Sequence, residues 1–334
     1  MINVGVIGVS GYTGFELIRL LLNHPEFKIN YLAASSKGKI DEIFSSLRGV
    51  LDFEVSVADV TEAAQKCKLV FLALPHQEAM RYASELLELG VKVVDLSADY
   101  RLNKELYEKN YCPHLDDKNL AHAVYGLLPI NRDKVKNAKL VANPGCYPTA
   151  SLLAITPFLP YIDTNLGVMI DAKSGVSGAG KKPSATSHFV SVNENLNAYN
   201  PLIHRHADEI KMHLENFCQK SVSTVFVPHL VPLTRGMLVS VYAKLNKEIK
   251  PLEILREFYK NEEFIRIKTS PVSVKDVAGT HFCDIFAVVW EDKIFINSAI
   301  DNLLKGASSQ ALANANLMFG FDENLAMPKI SQFC

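Results

Sequence analysis

In the first part of the chain the apolar positions follow two rhythms. Residues 3–7, 27–34, 68–73, 91–96 and 139–142 are short, nearly continuous apolar runs, the pattern of strands buried on both faces. Between them, residues 13–22 and 78–89 space their apolar positions three and four apart, as a helix with one buried face does. Strands alternating with helices predict a parallel sheet covered on both sides, an α/β domain of the Rossmann type.

Beyond residue 146 the rhythm changes. Residues 168–171, 223–227, 237–245, 284–290 and 293–299 read as strands, and several alternate in polarity, as half-buried antiparallel strands do. Helical spacing appears at 151–159, 206–218 and 252–259, and a last helix is expected over 302–318. This part reads as an α+β domain with one sheet. The boundary between the two patterns falls at 143–146.

Composition agrees with two folded domains. The chain has 334 residues, and 48% of them are apolar, too long for one ordinary core and too apolar for global disorder. The formal net charge is -1, so no basic field recommends nucleic acid or an anionic membrane as partner. The N-terminus lacks the charged and apolar stretches of a secretion signal, and no apolar run is long enough to span a membrane. The six cysteines lie at 67, 112, 146, 218, 283 and 334, without metal-like spacing. They are expected to be reduced thiols in a cytoplasmic protein.

Two segments carry candidate chemistry. The first is Gly8-Val9-Ser10-Gly11-Tyr12-Thr13-Gly14, directly after the first strand and before the first helix. Glycines there allow a tight turn and a close approach of the backbone to a pyrophosphate at a helix N-terminus. The second strand ends in Ser35, Ser36 and Lys37 without a carboxylate. An NAD site places Asp or Glu there, so hydroxyls and a lysine favour the 2′-phosphate of NADP(H).

The second segment is Asn143-Pro144-Gly145-Cys146-Tyr147-Pro148-Thr149. It places Cys146 at the start of a helix, where the dipole stabilises a thiolate and backbone N–H groups can receive an oxyanion. The base is sought in His204-Arg205-His206, because imidazole titrates near working pH. Two histidines at i and i+2 of a helix point apart, and no metal site is expected.

These motifs, with Leu96-Ser97-Ala98-Asp99-Tyr100-Arg101-Leu102, Tyr125-Gly126-Leu127, the run from Asp171 to Gly180, Pro228-His229-Leu230-Val231-Pro232, and Ile300-Asp301-Asn302-Leu303-Leu304-Lys305-Gly306-Ala307, make the chain similar to the short-chain type of N-acetyl-gamma-glutamyl-phosphate reductases. The likeness covers nearly the whole length. It implies reduction of an acyl phosphate to a semialdehyde through a thioester on Cys146, with NADPH as reductant and His206 as base. Arg101, Ser177, His204, Arg205 and Glu209 are implied to hold the small-molecule substrate. Gly8, Ser10, Gly11, Tyr12, Thr13, Gly14, Ser35, Ser36, Lys37, Pro75, Gly178 and Asn302 are implied to hold the cofactor. The resemblance also implies a discontinuous nucleotide domain, 1–145 with 302–334, a catalytic domain over 146–301 like that of glyceraldehyde-phosphate and aspartate-semialdehyde dehydrogenases, and a homodimer or homotetramer.

Two positions depart from the family's pattern. Asp208 stands where the family has proline, and His281 stands where it often has asparagine. The rival readings are an aspartate-semialdehyde dehydrogenase, the aminoadipyl analogue of the lysine pathway, and a non-catalytic nucleotide-binding regulator. Retention of Cys146, His204 and His206 speaks against the regulator.

Overall fold

The computed structural model describes Met1 to Phe333. Cys334, the sixth cysteine and the last residue of the segment 302–334, lies outside the described residues. The chain divides into two compact units, Met1–Pro144 with Ala307–Met327, and Gly145–Gly306 with the stretch from Pro328 onward.

The first unit is built on strands β1 (Ile2–Ile7), β2 (Phe27–Ala34), β3 (Gly38–Lys39), β4 (Glu54–Val57), β5 (Leu69–Leu72), β6 (Lys92–Asp95), β7 (Val124–Tyr125) and β8 (Leu140–Ala142). They form one sheet in the order β3-β4-β2-β1-β5-β6-β8-β7. All neighbours are parallel except β3 and β4. Val6, Ile7, Leu32, Val70, Phe71, Leu72, Val93 and Val94 are fully buried. Covered on both faces, these strands need apolar side chains at every position, and so they appear in the sequence as runs.

The segment after β6 is polar yet buried. Asp95 accepts from the Ser97 N–H at 2.9 Å and from its hydroxyl at 2.8 Å. Burial, and then the charge of Asp99, push the Asp95 carboxyl up to about 7. Asp99 accepts from Gln77 N at 2.7 Å, Met80 N at 3.1 Å and the Tyr107 hydroxyl at 2.9 Å. It thereby tethers the start of the helix Ala79–Glu88, whose own N-cap residue makes no side-chain cap bond.

The second unit contains β9 (Val168–Gly175), β10 (Asn197–Ala198), β11 (Thr224–Val231), β12 (Met237–Lys244), β13 (Ile265–Ile267), β14 (Cys283–Trp290) and β15 (Lys293–Ile300). The order is β10-β11-β9-β12-β15-β14-β13. The β9–β11 and β13–β14 pairs are parallel and the others antiparallel. The helix Cys146–Ile155, buried from Tyr147 onward, covers β12 and β15 on one face. On the other face Val225, Met169, Tyr242, Phe295 and Val288 lie opposite one another in register. They make an apolar row across five strands. Phe295 is half-buried and the other four are exposed.

The two expected fold classes are both present. Several details differ from the sequence reading. The last helix is an α-helix over Ser309–Met318, preceded by a π-helical turn at Leu304–Ser308. Asp301 causes this by accepting from Leu303 N at 2.9 Å and Leu304 N at 3.1 Å and from Gly306 N, through its carbonyl, at 2.9 Å. The stretch from Pro328 is part of the second unit and not of the first. His281 N bonds to Pro328 O at 2.9 Å and Gln332 N to Ala278 O at 3.0 Å. The strand read as ending at 227 runs on through Pro228 to Val231.

Asp99 supplies the first prediction. Asp99→Ala leaves two backbone N–H groups and a buried phenol without their acceptor and should destabilise the fold by about 3 kcal/mol. Thermal melting checks this, and a curve superimposable on wild type would show that the carboxylate is no hub.

Candidate active site

In the first unit the loop after β1 turns at Gly8, which has φ of 94°. A Cβ on Gly8 would lie 2.3 Å from Ala73 O, and one on Gly14 would lie 2.5 Å from Gly8 O. Those two glycines are therefore required by packing of the loop itself. Gly11 is different, since a Cβ there would meet only Gly8 O, at 3.7 Å. Gly11 is the N-cap of the helix Tyr12–Leu22, makes no side-chain cap bond, and no acidic residue occupies the first turn. The result is a helix N-terminus with its space kept open, suited to a phosphate.

The order β2-β1-β5 sets three strand ends side by side. Gly8, Ser10, Gly11, Tyr12, Thr13 and Gly14 follow β1. Ser35, Ser36 and Lys37 follow β2 and are exposed, and Pro75 follows β5 and is exposed too. Ligands of open α/β sheets bind at the carboxyl ends of the strands, and every candidate cofactor residue of this unit lies there. Arg101 belongs to this unit and is buried. Its Nε donates to Asn143 O at 2.8 Å and its terminal nitrogen to Leu96 O at 2.7 Å. The expected anion contact thus meets a side chain already engaged with backbone carbonyls.

In the second unit Cys146 is the first residue of its helix and half-buried, with Gly145 as N-cap. Thr149 returns both its N–H and its hydroxyl to Gly145 O at 2.9 Å. The Gly145 N–H is held at 3.0 Å by Glu209 Oε1, which is buried on the helix His206–Cys218. Glu209 therefore joins the starts of the two helices. Gly306 closes the other side, where a Cβ would lie 2.7 Å from Cys146 Cβ.

The histidines gather around the residue next to Cys146. The Tyr147 ring stands edge-on to His204 and at 67° to His206, both with centroids at 5.8 Å, and the two imidazoles lie 4.9 Å apart. His204 Nδ1 accepts the His206 backbone N–H at 3.1 Å. That leaves its proton on Nε2. Burial, reinforced by the Arg205 charge, pushes His204 down to about 4. Tyr147 donates to His229 O at 3.2 Å and accepts from the Tyr199 hydroxyl at 3.1 Å. Burial holds both phenols well above their ordinary range.

Ser177, Gly178 and Asn302 also come together in this unit. Asn302 accepts from Gly236 N at 2.7 Å and donates to Ser177 Oγ at 3.0 Å. Its neighbour Asp301 is fully buried and accepts from Arg235 at 2.7 and 3.1 Å and from Gly279 N at 2.6 Å. Tyr147, Asp301 and Gly306 were not among the candidate residues. All three stand inside motifs that carried the family resemblance, which was their only signal. Among the described residues no group of three or more His, Cys, Asp or Glu could hold a metal, and no helix is long and apolar enough to cross a membrane.

Residues 3–138 match the family model for the semialdehyde dehydrogenase NAD binding domain, and residues 146–302 match that for the semialdehyde dehydrogenase dimerisation domain. Fold and site thus define an oxidoreductase of the semialdehyde dehydrogenase class. The N-acetyl-gamma-glutamyl-phosphate reductase of Campylobacter curvus is 74% identical over 333 residues, covering 100% of this chain and 99% of the relative. That of Archaeoglobus fulgidus is 44% identical over 331 residues, 97% of each chain. The chain belongs to the N-acetyl-gamma-glutamyl-phosphate reductase family. Among solved structures, aspartate semialdehyde dehydrogenase with NADP from Candida albicans superposes with a TM-score of 0.73 at 16% identity, over 97% of this chain and 99% of that one. Aspartate semialdehyde dehydrogenase II complexed with ASA from Vibrio cholerae gives 0.72 at 16%, over 96% and 98%. Those two likenesses concern the fold.

The depressed His204 has a consequence for stability. The unfolded chain protonates this histidine near its ordinary value of 6.5, whereas the folded chain resists until about 4. Its neutral state therefore stabilises the fold fully above pH 6.5, and that contribution is lost as pH falls toward 4. Denaturant titrations of wild type and His204→Asn should show a shallower acid slope in the variant. Equal slopes would contradict a buried, neutral His204.

Proposed function

We propose that this chain reduces N-acetyl-γ-glutamyl phosphate to N-acetylglutamate 5-semialdehyde and phosphate with NADPH, in arginine biosynthesis. The observation that carries the reading is the half-buried thiol of Cys146 at a helix start, beside Tyr147 and the two histidines packed on it. The Cys146 sulfur attacks the acyl carbon, the bond from that carbon to the phosphate oxygen breaks, and phosphate leaves. In this scheme the oxyanion is met by backbone N–H groups at the helix start, where Pro148 has none and Thr149 gives its own to Gly145 O. NADPH, when bound, supplies the hydride that converts the thioester to the semialdehyde, and Cys146 departs as thiolate.

His206 takes the thiol proton in this scheme. His204 is held neutral and presents its Nε2 proton to the substrate, because its Nδ1 is engaged by the backbone. Arg205 and Ser177 complete the substrate contacts. Arg101 and Glu209 act on the backbone of the two units, as their carbonyl and N–H partners support. The residues that would hold the cofactor are the loop from Gly8 to Gly14 at the pyrophosphate, Ser35, Ser36 and Lys37 at the 2′-phosphate, and Pro75, Gly178 and Asn302 toward the nicotinamide. The open space at Gly11 fits that group. The protein acts in the cytoplasm as a homodimer or homotetramer. The row from Val225 to Val288 is the face for that contact, since an exposed apolar row of this extent calls for a partner.

Turnover with N-acetylglutamate semialdehyde, phosphate and NADP, set beside aspartate semialdehyde, tests the reading. The acetylated substrate should be strongly preferred, and Cys146→Ser should lower kcat at least about a thousandfold while NADP still binds. His206→Asn should lower kcat with little change in KM, and His204→Asn should mainly raise KM. Preference for aspartate semialdehyde would overturn the substrate assignment, and substantial turnover by Cys146→Ser would overturn the nucleophile.

A further inference from the structure

Lys305 and His281 are buried and meet deep in the second unit, with the lysine Nζ 3.2 Å from His281 Nε2. No step proposed above uses either. Lys305 lies in the π-helical turn Leu304–Ser308, one residue before Gly306. Gly306 is the residue seated against Cys146, where even a Cβ would collide. A π turn is less favourable than continued α-helix and persists where its surroundings hold it, often at functional sites.

Two links hold this one. Gly279 N donates to Asp301 Oδ2 at 2.6 Å, and two residues later His281 receives Lys305. Burial, and then the Lys305 charge, keep His281 well below its ordinary range. With the imidazole neutral, its Nε2 can accept, and the lysine ammonium, which has no lone pair, is the donor. The imidazole is itself fixed. Phe264 packs on it with centroids at 4.9 Å, and its backbone N–H is bonded to Pro328 O.

We infer that Lys305 and His281 are positioning residues for Cys146: their hydrogen bond holds the π turn in the form that seats Gly306 against the nucleophile. This rests on the proposed role of Cys146. The pair has no proposed contact with substrate or cofactor. It acts through the turn, by fixing the place of the thiol.

Labelling of Cys146 by iodoacetamide at neutral pH, located by peptide mass, is the test. Lys305→Met and His281→Leu should each slow labelling and lower kcat about 10- to 100-fold with KM changed little, the cost of a small misplacement at a reacting atom. The double variant replaces the buried polar pair by an apolar one and should fold even where a single variant does not. It should remain slow, because the anchor is still missing. His281→Asn keeps an acceptor and should retain most of the wild-type rate. Wild-type labelling in the folded single variants, or recovery of the wild-type rate in the double variant, would overturn the inference. Turnover by Cys146→Ser is a separate readout, since it would remove the nucleophile assignment and leave the labelling comparison intact.

Discussion

The site depends on a steric constraint. Cys146 can stand at its helix start only because the chain behind it at Gly306 has no side chain, since a Cβ there would lie 2.7 Å from Cys146 Cβ. Such a separation excludes every other residue type at 306 unless the backbone moves. The consequence spreads outward. Gly306 is set by the π-helical hydrogen bond from its N–H to Asp301 O, Asp301 by Arg235 and Gly279, and Asn302 by Gly236. On the far side Glu209 grips Gly145. The thiol is held between two pieces of chain whose own geometry is fixed by buried, bonded polar groups.

The electrostatics of the site are mostly neutral by construction. Burial keeps His204 uncharged and keeps Tyr147 and Tyr199 as phenols. The buried carboxylate of Glu209 is engaged by the Gly145 N–H. In the proposed reaction, such an environment would leave the developing charge to backbone N–H groups, which need no reorganisation at the moment of reaction.

Much of the fold was legible in the sequence, for physical reasons that can be named. β5, with the sequence Leu69-Val70-Phe71-Leu72, is a run because both its faces are covered. β12 alternates because only one is. The glycine loop was legible because its setting between strand and helix is itself the signal. Strands β3, β4, β7, β10 and β13 were missed, since two to four residues carry too little period. Pro228 hid the continuation of β11 because proline argues against a strand interior. The π turn was invisible because helical spacing at 302–318 does not report how Asp301 engages the first N–H groups. Arg101 was read as a substrate contact from the family resemblance, and its carbonyl partners are a tertiary fact that no local pattern contains.

In the proposed reaction Cys146 carries the acyl group. That assignment is tested most directly by mixing the protein with N-acetyl-γ-glutamyl phosphate in the absence of NADPH, then following phosphate release and intact mass. Stoichiometric phosphate release is expected together with a mass gain equal to the N-acetylglutamyl group, mapped to Cys146 by peptide fragmentation. Phosphate release without an adduct, or an adduct on another residue, would contradict it.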